Sequence, residues 1–170
     1  MPTVSVTRTY LALESPSALR GSPLPDDGRL ERVAPCPAAF YRFLYREVGR
    51  RYQWRDRLDW TESQIRTWLD DPANSLYVLY VGGAPAGYFE LRIGEAGAVE
   101  IVYFGLLPGY LGRGLGKGLL TAAVQTAWQA GASRVWLHTC TLDDPAALPN
   151  YLKRGFTRFK EEQYTVELPA

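Results

Sequence analysis

An apolar stretch ending at Leu107 runs into Pro108, and glycines then recur at Gly109, Gly112, Gly114, Gly116 and Gly118, with Arg113 and Lys117 among them. A strand, a Pro-initiated turn, small residues and an amphipathic run follow one another. That order leaves backbone N–H groups unobstructed at a helix N-terminus, where they can hold phosphate oxygens. Arg113 and Lys117 add positive charge beside them. The chemistry indicated is a main-chain cradle for a pyrophosphate, formed by Gly112, Arg113, Gly114, Leu115, Gly116 and Lys117.

Two familiar phosphate loops do not fit. A Walker A loop needs Gly, four residues, then Gly-Lys-Ser/Thr; here Leu111 stands at the first glycine and Gly118 replaces the hydroxyl. A dinucleotide fingerprint needs a third glycine where Lys117 stands, and an acid about 20 residues on, which Gly131–Trp136 does not offer.

The loop resembles the acetyl-CoA loop of the GNAT superfamily of N-acetyltransferases, Arg/Gln-x-x-Gly-x-Gly/Ala. Gly114 and Gly116 match its small positions and Pro108 its preceding proline, while Leu111 replaces Arg/Gln. A second segment, Asp144 to Phe156, is similar to the family's Asn-x-x-Ala-x-x-Leu-Tyr-x-Lys-x-Gly-Phe pattern. Ala147, Tyr151, Lys153, Gly155 and Phe156 fall in register; Asp144 stands in place of Asn, and Asn150 in place of an apolar residue. The resemblance runs from about Ala84 to Tyr164.

It implies an acetyl-CoA cosubstrate and direct attack of an amine on the thioester; separately, two distant cysteines without Cys-x-x-Cys spacing and one histidine lead to an expectation of no metal. A free alkylamine has a pKa of about 10, so a base must take a proton and an acid must return one to the sulfur. The resemblance gives Tyr151 the acid's role and Leu106 and Leu107, ending the strand before the loop, the pantetheine arm and thioester. Glu100 is the leading base, because a carboxylate within an apolar strand needs a reason; the alternative is a strand-end Glu paired to Arg92. His138, the one histidine, has a pKa suited to proton transfer, although the residue pattern favours a satisfied strand histidine. Asp144 and Asn150 are candidates for contact with the CoA arm, though N-capping alone explains Asp144.

The resemblance places the acceptor side in Tyr52–Trp60. Trp54, Glu100 and His138 are its candidate substrate contacts, and Asp56 and Asp59 suit a cationic amine. The alternative has Trp54 and Trp60 packing helices onto a sheet.

The elements that must position these groups read as mixed α/β. Strands are expected at Val4–Leu13, Ser75–Val81, Pro85–Ile93, Ala98–Leu107, Arg134–Cys140, and as a terminal pair Phe156–Lys160 and Gln163–Leu168. Helices are expected at Pro37–Arg50, from the Thr61/Gln64 capping box onward, at Gly114–Ala130, and after Asp144 as N-cap with Pro145 as first helical residue. Gly82-Gly83 signals a hairpin, and Glu14–Pro35 an irregular connection. A β-α-β crossover should make Ala98–Leu107 and Arg134–Cys140 parallel neighbours. The fold expected is GNAT-like: a central mixed, mostly antiparallel sheet flanked by helices, in one domain over residues 1–170.

A near-balanced charge of +1 gives no footprint for nucleic acid or an anionic membrane. No apolar run approaches the roughly 18 residues of a bilayer span, and Met1–Tyr10 has no signal-peptide core. Two distant cysteines, Cys36 and Cys140, suit free thiols in the cytoplasm. The expectation is a cytoplasmic monomer or homodimer that acetylates a primary amine of a small molecule. The alternatives are a non-catalytic acyl-CoA-binding module and a protein or peptide N-acetyltransferase.

Overall fold

The computed structural model describes residues 1–169. Strands β1 (Thr3–Leu13) and β2 (Gly28–Arg32) are followed by helices α1 (Ala38–Gly49) and α2 (Glu62–Asp70). The meander β3 (Asn74–Val81), β4 (Ala84–Ile93) and β5 (Ala98–Leu106) comes next. Helix α3 (Leu115–Gln129), β6 (Arg134–Cys140), α4 (Ala147–Arg154) and β7 (Thr157–Glu167) complete the chain. The strands form one seven-stranded sheet in the order β2-β3-β4-β5-β6-β1-β7. Its pairings are antiparallel except β5 with β6, the expected crossover.

Strand alternation sorts the core into two layers. Tyr41, Leu44 and Val48 of α1 and Ile65 of α2 pack on Leu76, Val78 and Tyr88. On the other face Leu119, Leu120, Ala123 and Val124 of α3, with Tyr151 of α4, pack on Leu79, Phe89, Leu91 and Leu137. Each such fully buried aliphatic side chain stabilises the fold by about 1.5–3 kcal/mol. The Thr61/Gln64 capping box opens α2 as expected, with both of its reciprocal bonds made. Gly82 and Gly83, both at positive φ, form the hairpin turn.

Three expectations need correction. The connection Glu14–Pro35 contains β2, a short, largely exposed strand bonded to β3 along one edge. The terminal strand pair is one continuous strand: the polar run Lys160–Gln163 has no turn-forming residue, and β1 pairs straight through it, Arg8 with Glu162 and Thr9 with Glu161. Asp144 does not cap α4. The helix starts at Ala147, and Asp144 caps the turn before it, accepting from the Ala146 amide at 2.8 Å.

Candidate active site

Strands β5 and β6 pair over three rungs, Ala98–Arg134, Val99–Val135 and Glu100–Trp136, and then part. Past Glu100 the facing edges of β5 and β6 have no strand partner among the described residues. Their main-chain groups line a groove of about 1320 Å³ that runs between the loop before α3 and the loop before α2.

The N-terminus of α3 opens on this groove. Gly114 is its N-cap at φ 75°, and no side chain caps the first turn. Gly112 is also left-handed at φ 73°, a region that L side chains enter at a cost. A Cβ on Gly112 would meet nothing within 4 Å, so its requirement is conformational. The amides of the first helical turn therefore remain free to bind an anion. Gly112, Gly114, Leu115, Gly116 and Lys117 line the groove. Arg113 lies outside it, its guanidinium 5.2 Å from the Tyr110 ring centroid. Asn150 donates to the Gly116 carbonyl at 3.3 Å, tying α4 to α3. Lys153 and Arg154 on the last turn of α4 add positive charge to the same wall.

Leu106 lines the groove and ends β5 opposite Gly87. Leu107 turns away: its amide bonds to Ala86 at 2.8 Å and its side chain packs in the α1–α2 layer. Tyr151 reaches the groove from α4, wedged edge-on between Phe104 and Phe156 at 6.2 and 6.1 Å. Burial, with Asp143 adding to it, raises its phenol above the ordinary value, so it stays protonated. Asp144 is engaged within the protein, by the Ala146 amide and by the Tyr52 hydroxyl at 3.2 Å.

A bulge decides which way the other candidates point. Glu90 lies opposite Tyr103 and Leu91 opposite Ile101, leaving Val102 as an extra residue. Glu100 and Tyr103, three residues apart, would otherwise occupy opposite faces. With the bulge both share the face of Glu90 and Arg92, beneath α1 and α2. Glu100 lines the groove there, 4.0 Å from His138 Nε2. Burial raises the Glu100 carboxyl, against the lowering fields of Arg57 and then Arg92. Burial, with Arg8, lowers the His138 imidazole. Arg92 does not pair with Glu100, since its guanidinium bonds Asp71 and Asn74.

At the end of the groove beside the loop before α2, Trp54 both lines the groove and packs, 4.7 Å from the Tyr103 ring and 5.6 Å from Tyr45. Asp56 lines the groove and accepts from Tyr103 at 3.5 Å, while Asp59 lies outside it. Beneath them is a group that sequence reasoning missed. Arg57 and Glu90 form a buried ion pair at 2.8 Å, with side chains 6% and 2% exposed. Trp68 Nε1 donates to the same Glu90 oxygen at 2.8 Å, and Tyr41 donates to both carboxylate oxygens. The available signal was a Glu flanked by Phe89 and Leu91 in β4, similar to the signal that marked Glu100.

The profile of the Acetyltransferase (GNAT) family matches residues 39–156. An uncharacterized N-acetyltransferase of Mycobacterium tuberculosis is 32% identical over 96 residues, 56% of this chain and 61% of the relative. The chain thus spans about six tenths of the length of the curated relatives it matches. A GCN5-related N-acetyltransferase from Kribbella flavida superposes with a TM-score of 0.67 at 22% identity, over 96% of this chain and 58% of that one. An aminoglycoside acetyltransferase from an uncultured soil metagenomic sample, solved with sisomicin, gives 0.64 at 16% identity over 76% and 88%. These two likenesses concern the fold. The family profile spans more than half of the sequence and takes in the α3 loop, β5 and Tyr151: the chain belongs to the GNAT acetyltransferase family.

Proposed function

We propose that this chain is a single-domain N-acetyltransferase that moves an acetyl group from acetyl-CoA to a primary amine of a small molecule. The observation that carries the reading is the uncapped, glycine-lined N-terminus of α3 opening on the same groove as Tyr151 and Glu100. The fit to coenzyme A is chemical: free amides suit a diphosphate, Lys117, Lys153 and Arg154 are cations beside them, and the unpaired edge of β5 suits an amide-bearing arm. Bound acetyl-CoA would supply the activated acyl carbon and a thiolate leaving group.

The remaining chemistry belongs to the protein. Glu100, directly or through water with His138 beside it, takes a proton from the attacking ammonium. The neutral nitrogen then forms the C–N bond as the C–S bond breaks. Leu106 main-chain groups orient the arm and polarise the carbonyl, and Tyr151 gives its phenolic proton to the departing sulfur. The acylated nitrogen sheds its second proton to solvent as the amide forms, and the tyrosinate regains one from solvent. Trp54, Asp56 and Tyr103 hold the acceptor.

A thiol-release assay with polyamines, amino acids, aminoglycosides and peptides tests the reading. Amine-dependent release is expected from at least one small-molecule class. Tyr151→Phe should lower kcat by about 10²-fold or more, with acetyl-CoA affinity unchanged. Binding of acetyl-CoA without release to any amine would mark a non-catalytic module. Release to peptides alone would mark a protein or peptide acetyltransferase.

A further inference from the structure

Among the described residues, the acceptor half of the groove holds an arginine whose charge is internally matched. Arg57 lines the groove, yet its guanidinium is committed to Glu90 at 2.8 Å. It lies over the rings of Trp68, Tyr103 and Trp60 at 4.1, 4.6 and 4.7 Å. Its backbone amide donates to the Tyr45 hydroxyl. One side chain from the loop before α2 is thus fastened to β4, β5 and both early helices. Its neighbour Asp56 and the ring of Trp54 are carried on the same short segment.

The other charges follow from that fastening. Arg8, also on the groove, has Glu162 at 3.9 Å and the Tyr164 ring at 4.9 Å. Arg55 donates to Gln53. Asp56 and Glu100 are the acids of this half, bonded to a tyrosine hydroxyl and facing a histidine respectively. With Arg57 matched by Glu90 and Arg8 facing Glu162, Arg55, bonded only to the neutral Gln53, is the cation left in this half against the two carboxylates Asp56 and Glu100. Acids and aromatic faces together outweigh it, a combination that attracts cations and repels carboxylates.

We propose that the buried Arg57–Glu90 pair is the specificity-determining element of the acceptor half. It pins residues 53–60 against the sheet and, by matching Arg57's charge internally, selects acceptors with a second positive charge over acceptors with a carboxylate. The inference deepens the acetyltransferase reading and rests on it for the charge preference, whereas the pinning is independent of it.

The probes are putrescine, butylamine and γ-aminobutyrate, matched in length and differing in the far group. The wild-type protein should give kcat/KM in that descending order. Glu90→Gln leaves Arg57 charged beside the groove, and should shift the putrescine to γ-aminobutyrate ratio toward the carboxylate by about tenfold, with acetyl-CoA affinity unaltered. A merely structural pair would lower all three rates together and keep the ratio. The double variant Arg57→Met with Glu90→Met removes both charges, which buried pairs commonly tolerate. It should return the ratio toward wild type while amide exchange of residues 53–60 stays faster.

A ratio unchanged in a folded Glu90→Gln protein overturns the specificity claim. Exchange of residues 53–60 as slow in the double variant as in wild type overturns the pin, including where Glu90→Gln does not fold. If the wild-type protein turns over none of the three amines, the charge preference fails together with the small-amine reading, and the exchange measurement alone decides the pin.

Discussion

At the level of single residues, two ionisable groups are moved in the directions that the proposed catalysis needs. Tyr151 is buried and held protonated above its ordinary value, which suits a donor to a thiolate. Glu100 is raised above the usual carboxylate value by burial, which brings a base nearer to working pH. A base acts deprotonated, so kcat/KM should climb with pH through the Glu100 pKa, at a pH above the ordinary 4.5. His138 is lowered from 6.5 and is therefore neutral above that pH. Glu100→Gln should remove the acidic limb of the kcat/KM profile; a limb that persists unchanged assigns the proton to another group. Tyr151 was legible in the sequence because its motif lies within a dozen residues. The partnership of Arg57 with Glu90 was not, because it joins residues 33 apart through a fold that local pattern does not encode.

Elements aim those residues, and here one extra residue matters more than propensity. Val102 bulges from β5, so Glu100 and Tyr103 face α1 and α2 together. Alternation in the sequence showed a strand and its odd carboxylate, but a parity change inside an apolar run leaves no compositional mark. The missed β2 and the continuous β7 have the same origin. Both are exposed strands with weak alternation, defined by the neighbours they bond to. Strong periodicity and turn chemistry gave the long α3, the Gly82-Gly83 hairpin and the capping box correctly.

A close approach at the end of α1 yields a test at this scale. A Cβ on Gly49 would come within 2.5 Å of Trp54 Cβ, so Gly49→Ala must displace the indole from the acceptor wall. The expected result is an acceptor KM raised by about tenfold with acetyl-CoA affinity retained, and a stability loss of about 1–3 kcal/mol from overpacking. An unchanged acceptor KM would remove Trp54 from the acceptor site.

In the whole molecule, the sheet parts between its one parallel pair, and the two helix layers supply opposite ends of the resulting groove. In the proposed function the α3–α4 layer would bring an anion cradle and a proton donor, and the side of the groove beneath α1 and α2 aromatic rings, acids and a fastened arginine. The expected fold class and crossover were legible because motif order and element order agreed. The divergence of β5 from β6 after Glu100, which creates the groove, was not legible, since the residues of both strands keep a strand-forming pattern past that point. The proposed function requires the α3 amides to hold a diphosphate. Calorimetric titration with acetyl-CoA and with acetyl-pantetheine, which lacks that diphosphate, tests it most directly. Acetyl-CoA should bind at least about 100-fold more tightly, a difference of about 2.7 kcal/mol; equal affinities for the two would contradict the account.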